Sequence, residues 1–441
     1  MGINFSFEYG TRNLVKCPDK NNSGIYRFGV SSFATKFGIN HNSVDKPNYL
    51  NFDIPDFTIV NADTFDGNYV IPVGVNHSPD EWTGWPFLAH TQHKRRNVLE
   101  FLSEKSLKDI REGRAMLLLD QSLEGYHNEW LWNWFHQTVD HYKVPNRSII
   151  YVTGNILAKN QYDSWCSDNN TIQKITVIPH THFEHMIGIT AINRGLYLDN
   201  PVPTLEDHIR YKIENGPKIK DYNLLQKRRR NHRAWALKTV HDAGLLDCGL
   251  INTDKIESKH TWVEGKHITK DEAENILNPH LPRYVNNIPV NLKPDLHYIT
   301  LLNDDIMLDS WISVVSEASF ADADGTCFIS EKTFKPIACS HPFIIWGNKN
   351  SLHHLRELGY KTFHPHIDET YDILPTFERM DGIANALKKF HAVEDKSDWY
   401  RRISDVLLHN LENLRKNTLN LLPKSGIVFN LYVEHYFRKE E

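Results

Sequence analysis

Glu331 and Lys332 stand side by side where a short apolar run, Cys327-Phe-Ile329, gives way to a helix-forming stretch from Ser330 to Ile337. A carboxylate and an ammonium at such a junction can do recognition chemistry. The carboxylate can grip ribose or sugar hydroxyls, and the lysine can neutralise a diphosphate. In open α/β sheets, ligands collect at the carboxyl ends of strands, and phosphates favour helix N-termini. Lys335, three residues on, is grouped with them as a donor-binding candidate. The plainer alternative is an ordinary helix start, with Ser330 as N-cap and Lys332 in solvent.

A second cluster is the basic turn Lys227-Arg-Arg-Arg-Asn-His-Arg233, between the strand-like Tyr222–Gln226 and a helical pattern from Ala234 to Leu246. Three readings stay open: a solvated charge run, a nucleic-acid or nuclear-localisation patch, or a phosphate clamp. Arginine forks bind diphosphates bidentately, and Arg230 and Arg233 lie nearest the helix start. The third cluster, Asp120 to Asn128, follows the apolar run Ala115–Leu119 and offers Asp120, Glu124 and His127. A carboxylate there can serve as general base to an acceptor hydroxyl, with Glu124 and His127 the preferred pair. Otherwise Asp120 caps a helix and Glu124 faces water. Asp368 and Tyr371, in Asp368-Glu-Thr-Tyr-Asp372, either touch donor sugar hydroxyls or only shape a turn. His180-Thr-His-Phe-Glu-His185 looks metal-like in a chain with 25 histidines, but lacks HExxH spacing and needs a distant third ligand. A polar loop is the competing reading.

These clusters need rigid elements behind them. Ala115–Asp120, Ser148–Gly154 and Thr176–Pro179 read as buried parallel strands, with helical character from Glu129 to Tyr142. Earlier β-like runs are Tyr26–Val30, Phe57–Val60 and Tyr69–Val73. The polar, proline-bearing stretch from Asp199 to Lys220 is the expected domain boundary. Beyond it, alternation resumes with Tyr222–Gln226, the helix from Ala234, a polar stretch over 250–295, strands at His297–Leu301 and Ile312–Val315, and the Cys327–Ile329 run. Helices are expected at Ser351–Leu358, ended by Gly359, and at Met380–Phe390 and Asp398–Leu421. The expected domains are 1–215 and 220–425, with 426–441 a C-terminal helix able to pack back on the first.

At 441 residues, 24% charged with net charge −5, the chain has room for two cores and no general excess of positive charge for nucleic acid. Five scattered cysteines without CxxC spacing read as reduced thiols. No run approaches the roughly 18 apolar residues of a membrane span. With no signal-like start, a cytoplasmic location is expected. GxxxxGK[ST], GxGxxG and GxSxG motifs are absent, which argues against P-loop, dinucleotide and hydrolase chemistry.

The order from Val315 onward is similar to the donor-binding domain of α1,3-fucosyltransferases. That pattern runs Phe-Glu-Asn-Ser, then Asp-Tyr-(Val/Ile)-Thr-Glu-Lys, a helix, and Pro-Val-Val with a glycine. Glu317 and Ser319 fall on its Glu and Ser, Ser330 on its Thr, Glu331 and Lys332 on its Glu-Lys, and Pro342–Gly347 on its closing strand and turn. Ala318 replaces its Asn and Phe328 its Tyr. The resemblance implies α/β architecture with two Rossmann-like domains facing across a cleft (GT-B-like), and a nucleotide-sugar co-substrate held by the second domain. It further implies no cofactor and no essential metal.

The expected activity is transfer of a sugar, with inversion, from a GDP- or UDP-linked donor to a glycan or other hydroxyl-bearing acceptor. Rivals are a nucleic-acid-associated protein using the basic turn and the His93-Lys-Arg-Arg96 run, a glycosyltransferase acting on modified DNA bases, and an inactive glycan-binding domain. The charge balance does not favour DNA.

Overall fold

The computed structural model describes residues 3–6, 57–60, 62, 64–74, 88–90, 95–97, 99, 102–122, 125, 130–192, 205–216, 220–226, 229–257, 259, 261–283, 302, 304–320, 325–419 and 424–438. The chain forms two compact units, Met1–His182 with Asn420–Glu441, and Phe183–Leu419.

The first unit contains β1 (Ile3–Ser6), β2 (Phe57–Val60), β3 (Tyr69–Gly74), α1 (Glu104–Arg111), β4 (Ala115–Gln121), α2 (Leu131–His141), β5 (Ile149–Thr153), α3 (Ala158–Asp168) and β6 (Thr176–Pro179). Its strands pair in parallel in the order β2-β1-β3-β4-β5-β6. Parallel sheets need cover on both faces, and β4 and β5 are buried along their whole lengths. Side chains alternate between the faces. Leu117, Leu119, Tyr151 and Val177 pack with Trp132, Phe135 and Tyr162 from α2 and α3. Met116, Leu118, Ile150, Val152 and Ile178 belong to a separate core on the other face.

The second unit contains α4 (His182–Ile192, its first residue closing the first unit), α5 (Leu205–Asn215), β7 (Lys220–Leu225), α6 (Asn231–Asp242), β8 (Gly249–Asn252), α7 (Asp304–Leu308), β9 (Ser310–Ser316), α8 (Glu331–Ala338), β10 (Phe343–Trp346), α9 (Ser351–Glu357), α10 (Thr376–His391) and α11 (Lys396–Leu419). Its sheet is parallel, ordered β8-β7-β9-β10. The first strand, β7, has β8 on one side and β9 on the other. Winding therefore reverses between β7 and β9, the position where open α/β sheets bind ligands beyond the strands' carboxyl ends. The last helix, α12 (Lys424–Arg438), belongs to the first unit and supplies Phe429, Val433 and Tyr436 to its second core.

Parallel α/β architecture in both units agrees with two Rossmann-like folds. Three local expectations change. The polar stretch expected to link the domains holds α5, and the second unit begins at Phe183. The α5 pattern is hidden because its inner face buries His208 and Lys212 together with Ile209. Cys327–Ile329 is not a strand: it is buried, extended chain outside the sheet, anchored where Ser330 meets Glu317. Within the polar 250–295 stretch, Gly249–Asn252 pairs with β7 as a short strand. The runs at Tyr26–Val30 and His297–Leu301 lie outside the described residues. No described helix is long and apolar enough to cross a membrane.

Candidate functional site

Beyond the carboxyl end of β9 the chain turns at Glu317, whose side chain is almost fully buried. Its carboxylate accepts hydrogen bonds from Ser330 N (3.1 Å), Ser330 Oγ (2.5 Å), Thr333 Oγ1 (2.6 Å) and Ala318 N (3.1 Å). A carboxylate beside the first turn of α8 is favoured by the helix dipole and by these donors together. Gly347 makes room for it: a Cβ there would lie 3.2 Å from Glu317 Cβ. Ser330 caps α8, its Oγ accepting from Lys332 N. The anion at this helix start is therefore the protein's own Glu317, which changes how the motif can meet a ligand.

The pair beside it is only partly exposed, Lys332 by 28% and Glu331 by 15%. Lys332 Nζ lies 2.8 Å from Glu331 Oε1 and donates to Ser330 Oγ at 3.1 Å. Burial pushes the Glu331 carboxyl up, but the Lys332 ammonium and Lys335 more than offset it, so the group sits below the usual range. Lys335, one turn further in, is lowered to about 8 because burial outweighs its attraction to Glu331. The pair thus presents an ionised carboxylate bonded to an ammonium at the edge of the unit.

The structure brings the basic turn to the same place. Arg230 Nη1 donates to Ala318 O, and His232 Nε2 lies 3.0 Å from Glu317 O. Burial and then the Arg233 charge push His232 down to about 3, with Arg230 and Lys332 adding to the effect. His232 is therefore neutral and donates Nε2–H to the Glu317 carbonyl. The loop after Glu317 is further locked at Phe320, which stacks on Trp346 (4.7 Å between centroids) and lies under the Arg379 guanidinium at 4.6 Å. Residues separated by 85 positions or more in sequence converge at the switch point between β7 and β9.

Alongside lies a solvent-open pocket with ≈ 330 Å³ of empty space, lined by Gln226, Arg229, Arg230, Arg233, Lys255, Asp254 and Glu257 among others. Arg229 is committed to Glu257 and Asp254. The four cations against two carboxylates leave a net positive lining. The first turn of α6 has no side-chain cap, so its N-terminal dipole adds to the attraction for an anion. Gln226 is buried and donates Nε2–H to Ser316 Oγ at 3.3 Å, while its Oε1 has no hydrogen-bond partner. A buried acceptor of that kind calls for a donor, which a water or a ligand hydroxyl or N–H can supply.

The remaining donor-side candidates have local partners. Ser319 Oγ accepts from Asn348 Nδ2 at 3.3 Å. Asp368 is brought down to about 2 by Lys389 Nζ (2.7 Å) and the Thr370 hydroxyl (2.6 Å). Tyr371 is buried, its oxygen accepting from Ile345 N at 3.3 Å. Both thus hold the turn between α9 and α10. Gln226 and His232 went unselected in the sequence, although each adjoins or belongs to the basic turn. Their chain positions signalled them; their burial did not show.

In the first unit, Asp120 is the penultimate residue of β4 and is buried, with Oδ1 accepting from Ser122 N at 2.8 Å. Tyr151 donates to Gln121 Oε1 at 2.5 Å, leaving buried Gln121 Nε2 and Ser122 Oγ without hydrogen-bond partners. Glu124 and His127 lie outside the described residues. In the histidine-rich segment, Glu184 accepts from Tyr360 Oη (2.6 Å) and Asn417 Nδ2 (2.7 Å), a structural commitment. Among the described residues, that segment does not form a group of three metal-ligating atoms. No family model matches the chain, and no curated protein matches it.

Proposed function

We propose that this protein is a glycosyltransferase of the GT-B class, moving a sugar from a GDP- or UDP-linked donor to an acceptor hydroxyl with inversion. The observation that carries the reading is the convergence of the Arg229–Arg233 turn with the Glu317–Lys332 segment at the sheet's switch point. In this reading the uncapped start of α6, with Arg230 and Arg233, binds the diphosphate, since the start of α8 is already occupied: Ser330 N bonds Glu317 and Lys332 N bonds the Ser330 hydroxyl. Glu331 grips ribose or sugar hydroxyls, and Gln226 Oε1 accepts from one of them.

Transfer then requires little covalent help from the donor side. A carboxylate base, for which Asp120 and Glu124 are the candidates, removes the acceptor proton, and the acceptor oxygen attacks the anomeric carbon. The bond to the β-phosphate oxygen breaks, and the nucleoside diphosphate leaves with its new charge balanced by Lys332 and the arginines. Fixed positive charge aimed at a developing anion is usually the largest catalytic contribution. Pairing of Arg229 with Asp254 and Glu257 speaks against a simple nucleic-acid patch.

Screening GDP- and UDP-sugars for thermal stabilisation identifies the donor, because ligands of the native state raise its stability by mass action. Calorimetry on Lys332→Ala and Arg230→Ala is expected to show at least about tenfold weaker binding of that donor, the size of a lost charged contact of about 1.5 kcal/mol or more. Folded variants that bind as tightly as wild type would remove the proposal.

A further inference from the structure

We propose that Asp221, Cys248 and His391 form a binding site for a zinc-class divalent cation at the amino-terminal edge of the second sheet. One ligand atom from each lies within 4.8 Å of the other two. The three come from separate elements: Asp221 from β7, Cys248 from the residue before β8, and His391 from the end of α10. Strand register explains the meeting. Gly249 pairs with Tyr222, so Cys248 stands beside Asp221 on the neighbouring strand. The Tyr222 ring occupies the space where a Gly249 Cβ would sit, 2.4 Å from the nearest ring atom. Alternation then sends Asp221 and Cys248 to the opposite face.

His391 Nδ1 lies 2.5 Å from Asp221 Oδ2, and its ring is half exposed. Zinc radii of about 2.0–2.3 Å to nitrogen, oxygen and sulfur set tetrahedral edges near 3.5 Å, so the Asp221–His391 pair must open by about 1 Å. The Cys248 sulfur, within 4.8 Å of the other two ligand atoms, closes toward the same edge length. Lys396 Nζ is 3.5 Å from Asp221 Oδ1, but it also donates to the carbonyls of His391 and Val393 at 3.0 Å each. Lys220 Nζ donates to Asp247 O.

Thiolate, imidazole and carboxylate together select a borderline-soft ion over magnesium or calcium, and water completes the fourth position. On binding, the Cys248 S–H bond breaks, the proton goes to solvent, and the sulfur pair forms the bond to the metal. The site lies at the opposite end of the strands from Gln226 and Arg230. It is therefore a staple between β7, β8 and α10, separate from sugar transfer and independent of that reading.

Titration of the full chain with Co²⁺ tests this optically. One equivalent is expected to produce a thiolate-to-cobalt band in the near ultraviolet, together with visible bands of tetrahedral intensity. Cys248→Ser should abolish the ultraviolet band, and His391→Ala, at an exposed position, should weaken binding at least about tenfold. Zn²⁺ should raise the melting temperature of wild type and not of Cys248→Ser. Absence of a thiolate band in wild type, or its persistence in folded Cys248→Ser, would overturn the assignment; persistence would move the metal to another cysteine.

Discussion

Two glutamates fourteen residues apart divide the work of the candidate site, and only their surroundings tell them apart. Glu317 is spent inward, on Ala318, Ser330 and Thr333. Glu331 keeps its carboxylate beside Lys332 at the edge. Glu317→Gln turns an acceptor oxygen into an NH₂ group facing donors, leaving buried polar groups unmatched at a cost of about 3 kcal/mol. Chemical denaturation should show that loss, with donor affinity falling as the 317–320 loop shifts. Glu331→Gln keeps the shape and removes the charge that pairs with Lys332 and attracts Lys335. It should lower the denaturation midpoint less than Glu317→Gln does while weakening donor binding. Equal loss of stability in the two variants would contradict the division. In the sequence both residues were legible as one motif, because a motif records residue types and not the direction in which a carboxylate points.

At the scale of elements, α5 yields the sharpest test. Lys212 donates to Ser310 O at the start of β9, and its Nζ lies 2.7 Å from His341 Nδ1, within reach of the Tyr400 ring face at 5.2 Å. Burial holds the ammonium well below its ordinary value, only partly opposed by Cys339 and Asp309. His341 is lowered as well, by burial and then by Lys212 and His208. The unfolded chain therefore binds a proton at Lys212 below about pH 10.4, while the folded chain stays unprotonated there until much lower pH. Stability contributed by this site is complete above the unfolded value and is lost as pH falls toward the folded one. Lys212→Met should flatten the rise of urea midpoint with pH between about 7 and 9, relative to wild type. Parallel curves would show that Lys212 stays charged in the fold. The apolar stripe in the α5 sequence is thin, Leu205, Ile209 and Ile213, and it is interrupted on the buried side by His208 and Lys212, which is why α5 read as linker. By contrast, β4, β5, β9 and β10 were readable because strands covered on both faces must be apolar runs. That rule misleads at Cys327–Ile329, since a buried loop is also an apolar run. It misses β8, whose residues alternate between buried and half-buried positions.

At the scale of the whole chain, the first unit is not finished until the last helix is made. Val70, Met116, Leu118, Ile150, Val152 and Ile178 form one face of its sheet, and α12 contributes Phe429, Val433 and Tyr436 to the same core. Fully burying such side chains contributes about 1.5–3 kcal/mol each, so the three together approach the total stability of a domain, about 5–15 kcal/mol. Ending the chain after Leu419 should therefore expose the apolar face and unfold the first unit, while the second, Phe183–Leu419, keeps its own core. Limited proteolysis of the truncated protein should cut within β4 and β5 and leave a resistant fragment covering much of 183–419. Phe429→Ala is the milder version, expected to cost about 3–5 kcal/mol in the first unit alone. Its thermal unfolding should then separate into two transitions, because two cores no longer melt together. A truncated chain that melts as sharply and as high as wild type would mean that α12 covers the sheet without stabilising it.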